Sequence, residues 1–290
     1  MSSKPKTASR SSKTKTPILP TRRDLRFRLP AGKISDWNGG SVHVSQFMNT
    51  LSIVFPVGER FFIQSVRNYR DRITDPELKK AVTAFIGQEA MHGREHEEYN
   101  EALFARVPAA ARFEKIVAGL LGAIQRHTPK SSQLSATIAL EHFTAILADG
   151  LLKQPEVLEK ADPRFAALWK WHALEETEHK AVAFDVWEAV MGRGPRAYVE
   201  RAGGLVLATV IFWSMVFPAY LAVLRSEGRL ADLKGWGEFY QHGFGRVGFL
   251  RKRIGAWFDY FRPDFHPWDD DNRHFLEGIE GFAAKVEAAA

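Results

Sequence analysis

The 290-residue sequence contains no cysteine. That excludes a disulfide scaffold, thiolate zinc, iron–sulfur clusters and a cysteine nucleophile, so any metal must be held by histidine and carboxylate. Alternation at period two is never sustained, which argues against strands. There is no GxGxxG, no P-loop and no GxSxG, and no repeat of fixed period. The Ser/Lys/Thr-rich beginning lacks the apolar core of a signal peptide. The formal net charge of +6 and the pI near 9.5 mislead. Residues 1–28 hold nine Lys/Arg and one acid, Asp24, while the other 262 residues sum to −2. Residues 29–202 sum to −1, 203–262 to +4 and 263–290 to −5. The basicity belongs mainly to a stretch that reads as a disordered tail, and the folded part does not favour nucleic acid as a partner.

What is present is helical periodicity almost throughout. The spacing predicts helices over 41–70, 77–105, 110–127, 131–152, 163–191, 196–225 and 232–261. Asp75-Pro76, Pro108, Pro129, Asp162-Pro163 and Gly192–Pro195 mark the breaks. Residues 202–224 carry no charge, and at 1.5 Å per residue they span roughly 34 Å, enough for a bilayer core. Basic residues flank this segment on both sides, so a membrane-inserted segment, a single span and a buried helix or dimer interface all stay open. The next stretch, 236–262, mixes aromatics with Arg246, Arg251, Lys252 and Arg253, as would a helix on an anionic interface or one packed on the bundle.

Four helices interrupt their apolar stripes with acid and imidazole. Glu59 stands among Phe55, Phe62, Ile63 and Val66. The second helix runs Leu78, Val82, Phe85, Glu89, His92, His96, Tyr99, Leu103, apolar at both ends with Glu/His in the middle. Glu141 shares a face with Leu134, Thr137, Ile138, Thr144 and Ala148, whereas His142 points about 100° away and is not expected to be a ligand. The fifth helix runs Phe165, Leu168, Trp169, His172, Glu176, His179, Ala183, Val186. Glu175 and Glu178 face elsewhere, to solvent or to support a ligand. A buried carboxylate costs several kcal/mol unless it is paired or bound to metal.

With 21 Glu and 10 His, roughly 0.7 Glu-x-x-His pairs are expected by chance, so a single one means little. Here two occur on core faces, and two further core carboxylates lie on other helices. Glu59, Glu89-x-x-His92, Glu141, Glu176-x-x-His179 is the order of ligands of a dinuclear site in a ferritin-like four-helix bundle. The 52-residue interval between Glu89 and Glu141 leaves room for a crossover helix. The expected fold is therefore all-α: a ferritin-like four-helix bundle over 29–195 with a crossover helix. Two helices over 196–262 are appended, and an acidic tail over 263–290 follows. Hard carboxylates with imidazole suit two Fe or Mn ions per chain, and zinc, which favours three ligands and an open position, fits less well.

Residues 35–265 resemble the bacterial family of predicted metal-dependent hydrolases. The features are Gly58-Glu59-Arg60, Gln88-Glu89-Ala90-Met91-His92 with His96, Leu140-Glu141-His142, and Trp171-His172 through Glu175-Glu176-Thr177-Glu178-His179-Lys180, with a hydrophobic segment after them. The ligand pattern is also similar to ferritin-like di-iron oxygenases, and His172-x-x-x-Glu176-x-x-His179 to the last metal helix of p-aminobenzoate N-oxygenase. That resemblance implies seven ligands: Glu59, Glu89, His92, Glu141, His172, Glu176 and His179. His96 departs from it, as an eighth donor or as a group orienting a ligand.

The leading expectation is a di-iron, O₂-activating oxygenase acting on an apolar or amphiphilic, lipid-like small molecule, which would require an electron donor. The alternative is a metal-dependent hydrolase using a metal-bound hydroxide, and a third is a metal-binding or storage protein without turnover. The expected place is the cytoplasm, or the inner membrane through 202–262, and a homodimer is a further expectation.

Overall fold

A computed structural model describes residues 18–39 and 41–289. Among these residues it is helical, and the only strand-like pairing is an isolated bridge between Asn38 and Ala161. The helices are α1 (Val42–Arg67), α2 (Pro76–Arg106), α3 (Ala110–His127), α4 (Lys130–Lys153), α5 (Pro163–His179), α6 (Val182–Met191), α7 (Pro195–Ser226), α8 (Leu233–Gly243), α9 (Ile254–Asp259) and α10 (Ile279–Ala289). The expected starts are built as the sequence implies. Asp75 accepts a hydrogen bond from the Glu77 amide at 2.9 Å and Asp162 from the Arg164 amide at 3.0 Å, each with proline at the first helical position.

Two expected helices are broken. The segment 163–191 divides at Lys180-Ala181 into α5 and α6. The Lys180 ammonium is buried there, donating to the Asp270 carbonyl and to Asn272 Oδ1, both at 2.7 Å. The segment 232–261 divides into α8 and α9, and Gly248, at φ +63°, lies in the break.

α1 packs against α2 and α4, and α5 against α4 and α2, while α7 lies along α4 and α1. Gly204 permits the last approach, because a Cβ there would sit 2.1 Å from Ser135 Oγ on α4. Two hydrophobic cores result. One gathers Phe47, Phe55, Tyr99, Leu103, Phe165 and Trp169, and the other Phe61, Val82, Phe85, Leu134, Ile138 and Val186. On α1 and α2, and on α5 taken with α6, the Glu/His interruptions fall between the two cores, so a polar layer separates them.

The expected tails need correction. Residues 1–17 lie outside the described residues, but 18–28 are packed down: Leu25 and Phe27 are buried in the first core and Arg23 is buried among carboxylates. Nor does 263–289 hang free. Ile279, Ala283 and Val286 are buried, and Glu280 pairs with Arg23.

α7 is long and apolar enough to cross a membrane by length and composition, and 28% of its most apolar window is buried within the chain. α9 is tied across it by the Trp257 indole, which donates to Thr209 Oγ1 at 3.0 Å.

Candidate metal centre

The polar layer brings seven buried side chains together. Glu59 comes from α1, Glu89 and His92 from α2, Glu141 from α4, and His172, Glu176 and His179 from α5. Donor atoms of Glu59, His92 and His172 lie within 4.8 Å of one another, as do those of Glu89, His92 and Glu176 and those of Glu89, Glu141 and His179. These triplets join through His92 and Glu89 into one elongated cluster. His179 Nε2 is 3.2 Å from Glu89, 3.5 Å from Glu176 and 3.7 Å from Glu141. At the other end His172 Nε2 is 3.0 Å from Glu176 Oε1 and His92 Nδ1 is 3.8 Å from the same oxygen. Gly93 makes room, since a Cβ there would come within 3.2 Å of Glu59 Oε2.

These atoms are mostly without hydrogen-bond partners. Both oxygens of Glu59, Glu89 and Glu141, Glu176 Oε2, His92 Nδ1 and His179 Nε2 are buried and unsatisfied. Native interiors rarely leave such groups unpaired, and an unpaired buried carboxylate is the most costly kind. Burial, and then the neighbouring carboxylates, push Glu59 and Glu141 well above the usual range. Burial acts the same way on Glu176, but His179 and His172 outweigh it and hold that carboxyl well below. Buried acceptors that converge and are short of positive charge are the signature of a cation site, so the residues fit a metal.

The surrounding hydrogen bonds fix which nitrogen of each imidazole is free. Asn100 Nδ2 donates to the Ser52 carbonyl, which turns its Oδ1 toward the Ser52 hydroxyl, 2.8 Å away. Ser52 gives its proton to Asn100 and so accepts from His96 Nδ1 at 2.8 Å. His96, which burial holds neutral, is left with a bare Nε2 that accepts from His172 Nδ1 at 2.8 Å. The lone pair of His172 Nε2 therefore faces the cluster. His172 Nε2 and Glu176 Oε1 stand 3.0 Å apart, a contact that a proton on the imidazole or a metal ion bound to both atoms would satisfy. His96 is not in any of the donor triplets; it orients His172.

His92 and His179 are held from the other side. His92 Nε2 donates to Glu175 at 3.1 Å, leaving Nδ1 toward the cluster. His179 Nδ1 donates to Gln88 Oε1 at 2.9 Å, and Gln88 Nε2 donates to Glu178 at 2.6 Å and to the Thr21 carbonyl at 3.0 Å. Arg23 closes both circuits, donating to Glu175 at 3.1 Å and to Glu178 at 3.0 and 3.1 Å. Burial pushes the Glu175 carboxyl up to about 7, against the pull of Arg23. Glu175 and Glu178 thus face away from the cluster but not to solvent. In the sequence Arg23 has no role beyond a basic stretch, and Gln88 only a place in a motif. His142 accordingly stands apart, its Nε2 2.9 Å from the Ala256 carbonyl.

A family model described as predicted metal-dependent hydrolase matches residues 21–271. The chain belongs to that family. The match covers every residue of this metal-dependent hydrolase family member's cluster and Arg23 as well. No curated protein and no solved structure matches the chain.

Proposed function

We propose that the chain is a hydrolase working through a dinuclear metal centre. Glu59, Glu89, His92, Glu141, His172, Glu176 and His179 would be the ligands, in a ferritin-like arrangement of α1, α2, α4 and α5. The observation that carries this reading is the set of unsatisfied buried oxygens and nitrogens converging from four helices. The elongated cluster has two ends and shared members, which suits two ions better than one. Four carboxylates largely neutralise two divalent cations, so burying the whole becomes tolerable. A carboxylate-rich set favours Mn or Fe over zinc. Bound there, two such ions would polarise a carbonyl or phosphoryl oxygen and make water nucleophilic near neutral pH.

The protein's own part is positional. His96, Glu175 and Gln88 set the tautomers of His172, His92 and His179, and Arg23 holds Glu175 and Glu178 in position. Phe55 stands edge-on to His96 and tilted against His172, an apolar wall at that end. The family description favours hydrolysis over the O₂-activating chemistry that the ligand pattern first suggests.

The test is an assay under nitrogen with p-nitrophenyl esters and bis(p-nitrophenyl) phosphate after reconstitution with Mn²⁺. Turnover that chelator abolishes and that Glu176→Ala lacks is the expected result. No hydrolysis of any of these, together with O₂ uptake by the Fe²⁺-loaded protein, would overturn it in favour of an oxygenase.

A further inference from the structure

Between α1, α3, α4 and α7 lies a cavity of about 370 Å³, within the size range of small-molecule sites. Its walls are apolar, with Phe62, Leu121, Ile124, Leu140, Phe143 and Phe212 among them. The hydroxyls that reach it are already committed. Thr128 donates to the Ile124 carbonyl, Ser132 to the Glu200 carboxylate, Ser135 to the Glu200 carbonyl and Thr144 to the Glu141 carbonyl. A ligand inside would find almost no free donor. The cavity is also long: its lining on α7 runs from Glu200 to Val216, roughly 24 Å of helix at 1.5 Å per residue. A modest volume spread over that length is a channel, not a chamber.

Leu207, 61% exposed, lines the channel about midway along that stretch of α7, and Glu200 is the one charged lining residue. At the inner end Phe55, Thr144 and Leu147 line both this cavity and a smaller one that touches His172 and Glu176. The channel therefore runs to a wall of Phe55, Thr144 and Leu147, and on the other side of that wall lie His172 and Glu176.

We propose that this channel holds the aliphatic chain of a single-chain amphiphile, an acyl ester or similar compound, with its hydrolysable polar group at the His172/Glu176 end. This rests on the hydrolase reading of the centre. A compact or polar substrate would leave the channel empty; a chain fills it and needs no hydrogen bonds from its walls.

The experiment reads binding without turnover. 11-(Dansylamino)undecanoic acid is titrated into the full-length protein, and its emission should rise and shift to the blue, saturating at one probe per chain. Ala136→Phe, which puts a ring into the channel from α4, should weaken binding at least tenfold with metal content unchanged. Leu207→Asn, a substitution at an exposed position, should weaken it several-fold without risk to folding. Displacement of the probe by laurate monomers points to a soluble source of the chain, and displacement by phosphatidylglycerol vesicles points to a bilayer; failure of both overturns the proposal. So does a wild-type protein that does not bind the probe, or an Ala136→Phe protein that binds it as tightly as wild type. If the probe binds but no ester of any chain length is hydrolysed, the hydrolase reading fails and the channel stands. If acetate esters turn over but the probe does not bind, the reverse holds.

Discussion

Glu59 shows how a single residue can oppose stability in favour of a site. Both its oxygens are buried without a partner, and burial among three other carboxylates pushes its carboxyl well above the usual range. Glu59→Leu should therefore raise the melting temperature of the metal-free protein by removing that unsatisfied group, while abolishing the stabilisation that added metal gives. A metal-free protein that loses stability on this substitution would show that Glu59 has a partner in the absence of metal. Arg23 is the opposite case. Arg23→Met leaves Glu175 and Glu178 buried without their cation, and loss of one partner from a buried ion pair costs about 3–5 kcal/mol. Equilibrium unfolding in urea should show a loss of that size, and metal titration a weakening of about 10–100-fold. His96→Phe removes the acceptor that holds His172 Nδ1, so metal affinity should fall by a similar factor although no ligand is lost. Unchanged affinity would mean that His172 orients itself.

At the scale of elements, the α4–α7 contact is tight where Gly204 meets Ser135. Gly204→Val should cost about 1–3 kcal/mol in thermal unfolding, and Ser135→Ala in the same chain should recover part of it. The helices that carry the cluster were legible in the sequence because Glu and His replace apolar residues at helical spacing, and only a core-facing position makes that pattern meaningful. Residues that support them were not legible, for physical reasons. Arg23 sits in a basic run that looks solvated, and its partner Glu175 lies 152 positions away. Glu175 and Glu178 do point off the ligand face, as helical geometry says, but that side is covered by residues 21–27, which no periodicity announces. The break at Lys180 was hidden because the apolar repeat continues across it from α5 into α6. Its cause is a buried ammonium whose partners lie 90 and 92 residues on, at Asp270 and Asn272.

The described residues form two hydrophobic cores joined across a layer of acid and imidazole, with residues 21–27 and 279–286 folded over the back of that layer through Arg23 and Glu280. Such a layer is a weakness until it is filled. Any ligand that binds only the folded state stabilises it, by about 2.7 kcal/mol at a hundredfold excess over the dissociation constant. Adding Mn²⁺ or Fe²⁺ to the metal-free protein should thus raise its melting temperature by several degrees, and chelator should reverse the rise. The central claim is the metal centre itself. It is tested most directly by elemental analysis of protein purified without chelator, beside Glu59→Ala and Glu176→Ala. About two first-row transition ions per chain are expected, falling sharply in both variants. A chain that holds and takes up no metal, or variants that retain the full content, would contradict it.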